Sequence, residues 1–94
     1  MILSERLLKI IKHYGVKAQL KYFQSEVFEL NEAIINAEYL PFKDENDIEH
    51  IVEEIADVLV MLSQFKEYYR IEEKDILKIM EKKIDRQLKR IENE

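Results

Sequence analysis

Two pairs of acidic residues share one spacing. Glu26 and Glu29 lie three positions apart, and so do Glu54 and Asp57. In an α-helix a step of three turns about 300° and rises about 4.5 Å, so the carboxylates of each pair project from one side. Glu26 and Glu29 flank the apolar residues Val27 and Leu30 instead of opposing them. Asp57 falls inside the run Ile55-Ala56-Asp57-Val58-Leu59-Val60-Met61-Leu62. An acid buried in such a run must be protonated, paired or bound to a cation, because an uncompensated buried charge is expensive. Asp is also a poor helix former, so nothing local favours it there. Salt bridges to a neighbouring helix would explain either pair alone. Two pairs on adjacent helices instead form a set of hard oxygen donors of the kind Mg²⁺ takes.

Four helical segments are expected to position these acids. The first runs over Ser4–Tyr14, with Leu3, Leu7, Ile10 and Tyr14 as its apolar stripe, Ser4 as N-cap and Gly15 as C-terminal cap. The second runs over Lys17–Glu38, with Leu20, Phe23, Val27, Leu30 and Ile34 as its stripe. Pro41 then breaks the chain within a loop over Tyr39–Asn46. Asn46 and Glu49 resemble a capping box that opens the third helix, Asp47–Tyr69. The stripe there is Ile48, Ile51, Ile55, Val58, Leu62, Phe65 and Tyr69, and the stretch from Ile55 to Leu62, apolar at every position but Asp57, predicts burial on most sides. The fourth segment, Glu73–Ile91, carries Leu77, Met80, Ile84, Leu88 and Ile91. With one Gly and one Pro in 94 residues, the chain reads as a single all-α domain, 1–94, folded as a four-helix bundle-like protomer. A core so small, with no disulfide, is marginal alone and predicts completion by homo-oligomerisation, as a homodimer or homotetramer.

Charge is uneven along the chain. Residues 24–57 hold eleven acids and one base, whereas residues 74–94 hold seven bases and five acids; the net charge is −5. An acidic centre repels a nucleic-acid backbone and suits a bound cation, although a solvated acidic face has the same composition. The absence of cysteine excludes thiol catalysis and cysteine-ligated zinc. No glycine-rich phosphate loop is present. The N-terminus lacks a signal-peptide pattern and no run is long enough to span a bilayer, so a cytoplasmic protein is expected, with neither a membrane nor nucleic acid as partner.

In order, Ser25-Glu26-Val27-Phe28-Glu29-Leu30 and Val52-Glu53-Glu54-Ile55-Ala56-Asp57-Val58 resemble the MazG-like all-α nucleotide pyrophosphohydrolases. That family carries a Glu-Glu-x-x-Glu element followed, after a gap, by Glu-x-x-Asp. The likeness extends from about Gly15 to Ile91. It implies Mg²⁺-dependent hydrolysis of a nucleoside triphosphate, NTP or dNTP, to the monophosphate and pyrophosphate, with Mn²⁺ as a substitute ion. It also implies Glu26, Glu29, Glu54 and Asp57 as metal ligands and catalytic acids. Ser25 stands where the family has its first Glu, so any role of that Glu is missing here.

Around this core of acids, Gln19 lies two helical turns before Glu26 and on the same side, placed to meet base or ribose, or simply on the surface. Lys83, Arg86 and Arg90 share one side of the last helix and suit either substrate phosphates or a solvated basic face. Glu53 reads as surface. His13 and His50 form no metal pattern, and the Glu-x-x-His of di-iron bundles is absent. The rival reading is a non-enzymatic helical interaction module, with the stripes as oligomer seams and the acids as surface charges.

Overall fold

The computed structural model describes residues 2–40 and 45–94. It is all-α, with four helices: α1 (Leu3–Tyr14), α2 (Val16–Tyr39), α3 (Glu45–Tyr68) and α4 (Glu73–Glu92). No helix among the described residues is long and apolar enough to cross a membrane.

α2 and α3 form the main antiparallel pair. α1 packs chiefly on α3 and more lightly on α2. The buried apolar core is small: Leu7 and Ile11 from α1, Ala33 and Ala37 from α2, and Met61 from α3. α4 contributes no buried residue and makes no extensive contact with the other helices.

Two local devices set the directions of the chain. Gly15 has φ +89° and ψ 151°, closes α1 with its N–H on the Ile11 carbonyl, and opens α2 at once. Only glycine adopts that conformation readily. α3 ends in a Schellman arrangement: Arg70 N–H donates to the Glu67 carbonyl at 3.2 Å and Ile71 N–H to the Lys66 carbonyl at 2.9 Å. Arg70 takes the left-handed position, φ 55°, that glycine usually fills.

Several sequence expectations are corrected. Ser4 lies inside the first turn of α1; the N-cap position is Ile2, without a side-chain cap. Asn46 is the second residue of α3 and so cannot be its N-cap. Pro41–Asp44, the middle of the expected loop, lie outside the described residues.

The larger correction concerns which faces are buried. On α2 the inward seam is Gln19, Phe23, Glu26, Leu30, Ala33 and Ala37; Leu20, Val27 and Ile34 are 49%, 41% and 47% exposed. On α3 the seam is Ile51, Glu54, Val58, Met61 and Phe65, with Gln64 beside it. The stretch expected to be buried on most sides is open: Ile55, Leu59, Val60 and Leu62 are each more than 40% exposed. The physical reason is simple. A helix that is apolar all round needs neighbours all round, and α1 and α2 cover only one side of α3.

Candidate functional site

The seam between α2 and α3 is where the acids meet. Glu26 and Glu54 are 7% and 8% exposed, at positions in each heptad where an apolar side chain would ordinarily sit. One carboxylate oxygen from each of Glu26, Glu29 and Glu54 lies within 4.8 Å of the others. Asp57, on α3, lies beside Glu26 but outside that group of three, while Glu29 lies beside Glu54. Thus each acid of one helix faces an acid of the other.

Such an arrangement is strained electrostatically. Burial, then the neighbouring carboxylates of Glu29, Asp57 and Glu54, push Glu26 above the ordinary carboxylate range. Burial, then Glu29 and Asp57, do the same to Glu54, against a lowering by His50. Two facing carboxyls without a cation repel when both are ionised, which favours a proton on one of them. Moreover, Glu26 Oε2 and Glu54 Oε2 are buried without a hydrogen-bond partner. Clustered carboxylates, two of them with a buried unsatisfied oxygen, fit a hard divalent cation, which would take carboxylate oxygens from this cluster and leave positions for water and phosphate.

Asp57 itself is exposed, which corrects the inference that apolar neighbours bury it. It stands on the wall of a hollow of about 450 Å³ that also includes Tyr14, Gln19, Tyr22, Glu26 and Gln64. Gln19 therefore does lie beside the acids, but it is buried, 7% exposed, and not a surface residue. Its Nε2 donates to Gln64 Oε1 at 2.8 Å. Lys83 and Arg86 are elsewhere: the hollows they line are built from the α3–α4 turn and α4 alone. Glu53 and Ser25 are exposed. A larger hollow, about 630 Å³, lies between α1 and the α3–α4 turn and touches none of the four acids.

Two further residues lie near the acids, one that the sequence reading set aside, His50, and one that it missed, Gln64. His50 Nδ1 lies 3.9 Å from Glu54 Oε1, one turn earlier on α3. Gln64 is 2% exposed. Its signal was present: Gln64 follows Asp57 by seven residues as Gln19 precedes Glu26 by seven, the mirror relation that antiparallel helices create.

No curated protein and no solved structure matches the chain. A family model does, over residues 15–91, from the glycine between α1 and α2 to the last turn of α4, and so across all four acids. The chain belongs to the MazG nucleotide pyrophosphohydrolase domain family, a family of hydrolases acting on nucleotides.

Proposed function

We propose that the protein hydrolyses a nucleoside triphosphate, NTP or dNTP, to the nucleoside monophosphate and pyrophosphate in a Mg²⁺-dependent reaction. The observation that carries this is the cluster of Glu26, Glu29 and Glu54, with one carboxylate oxygen of each within 4.8 Å of the others and a buried unpartnered oxygen on Glu26 and Glu54, on helices that the family model spans. Glu26, Glu29, Glu54 and Asp57 are the proposed ligands. When bound, Mg²⁺ (or Mn²⁺) supplies positive charge that neutralises phosphate oxygens and lowers the pKa of water. Asp57, exposed at the rim, faces the side from which substrate enters. Gln19 contributes to binding the nucleoside end.

Lys83 and Arg86 are proposed to grip phosphate oxygens. Within one protomer α4 stands apart from the acids, so this role requires α4 to lie along an α2–α3 face. An assembly of copies, a homodimer or homotetramer working in the cytoplasm, would provide that. The rival interaction module accounts for the exposed stripes but leaves the two buried oxygens without a reason. The deciding experiment incubates purified protein and Mg²⁺ with a panel of NTPs and dNTPs and follows pyrophosphate. Release from at least one substrate, abolished in Asp57→Ala, is the expected result. No release from any substrate, or full activity in Asp57→Ala, overturns the reading.

A further inference from the structure

Seven residues from the acids on both α2 and α3, polar side chains meet again in the seam. Gln19 and Gln64 occupy positions that a helical core would fill with apolar groups. Gln19 Nε2 donates to Gln64 Oε1 at 2.8 Å, which leaves the Gln19 carbonyl oxygen to accept from elsewhere. Gln64 Nε2 finds as its acceptor Met61 Sδ at 3.7 Å. A thioether is a weak acceptor for a primary amide that is 2% exposed. The pair is thus bonded, but a primary amide on a thioether would gain from a stronger acceptor.

Both amides line the 450 Å³ hollow that continues to Glu26 and Asp57. This volume lies within the range of small-molecule sites. Tyr14 and Tyr22, 62% and 60% exposed, also line it and supply aromatic surface of the kind a flat ligand stacks on. Seven residues of helix span roughly 10 Å, a distance that the sugar of a nucleotide can bridge between its base and its phosphates. Resting on the nucleotide reading above, we infer that the hollow is a nucleobase pocket in which Gln64, held by Gln19, hydrogen-bonds the edge of the base. The triphosphate then points at the acid cluster. An amide presents one donor and one acceptor side by side, the pattern found on the edge of a base.

The test uses the full chain with Mg²⁺. In ¹⁵N-labelled protein, the side-chain amide signals of Gln64 and Gln19 should shift saturably with at least one nucleoside lacking phosphate, and stay in place with inorganic tripolyphosphate. Gln64→Leu should raise KM for the favoured substrate about tenfold with a much smaller change in kcat, and compress the differences among bases to within about threefold. Its Mg²⁺ affinity should equal that of the parent chain. No shift with any nucleoside, equal shifts with tripolyphosphate, or an unchanged ranking of bases in a folded Gln64→Leu variant overturns the proposal. Should no triphosphate be hydrolysed at all, the reaction proposed above fails, while the nucleoside titration still decides this pocket.

Discussion

Glu26 and Glu54 bind protons more tightly in the folded chain than in the unfolded one, because burial and neighbouring carboxylates disfavour their charge. Without metal, the folded state therefore keeps protons that the unfolded state has released. Stability is then greatest below the unfolded carboxylate value near 4.5 and falls as pH rises through the raised folded values. A bound cation offsets the repulsion. Melting curves in chelator should accordingly drop from mildly acid to neutral pH, and millimolar Mg²⁺ should raise Tm more at neutral pH than in acid. Glu54→Gln should flatten the pH slope and remove most of the Mg²⁺ gain. A Tm indifferent to Mg²⁺ would favour the interaction module instead. Asp57 makes a separate prediction. It is exposed, so Asp57→Asn should alter stability by no more than about 0.5 kcal/mol, yet lower kcat/KM at least about tenfold. Unfolding and steady-state measurements on one preparation separate the two effects.

The helices meet at two turns whose backbone demands differ in how well the residue suits them. At Gly15 the conformation belongs to glycine, and a Cβ there would touch nothing within 4 Å. Any cost of Gly15→Ala is therefore backbone strain alone, expected to be about 1–3 kcal/mol by denaturant unfolding. At Arg70 an L-residue with a side chain holds the left-handed position. Arg70→Gly should relieve that strain and stabilise the protein by about 0.5–1 kcal/mol, partly offset by the freer unfolded chain. Opposite signs from two substitutions at helix ends would locate both effects in the turns themselves.

As a whole, one protomer buries too little. Among the described residues the buried apolar ones number five, and two of them are alanines. Meanwhile Ile48, Val52, Ile55, Leu59 and Leu62 form an exposed stripe along α3, stepping by four and three, and α4 exposes Leu77, Met80, Ile84, Leu88 and Ile91. Large side chains in such stripes each gain about 1.5–3 kcal/mol when covered. Self-association is therefore the expected state, visible by sedimentation and as a Tm that rises with protein concentration. Leu59→Lys is a sharp probe. In a lone protomer Leu59 is 55% exposed, and its replacement should cost little. In an assembly it should shift the sedimenting species to smaller size and lower Tm by several degrees.

Helix number, order and approximate limits were readable from periodicity and from the scarcity of Gly and Pro, because these are properties of local spacing. That Glu26 pairs with Glu29 and Glu54 with Asp57 along a helix was readable too, since i,i+3 carboxylates share a helix side whatever surrounds them. Which side faces inward was not. The expected stripes split: Phe23, Leu30, Ile51, Val58 and Phe65 lie in the seam, whereas Leu20, Val27, Ile34, Ile48, Ile55 and Leu62 point outward in the protomer, and the seam carries Gln19, Glu26, Glu54 and Gln64 as well. Periodicity places an apolar stripe inside by default. Polar groups belong there only when partners on another helix, or a ligand, meet them, and those partners are set by the antiparallel pairing of α2 with α3. For the same reason the premise that singled out Asp57 fails: its neighbours are apolar, but they are largely exposed in the protomer. The sequence determined that the acids form two matched pairs. Only the tertiary structure decided that the pairs face each other, that two of the four are buried with orphaned oxygens, and that a second polar pair lies two turns away, because each depends on the register between two helices.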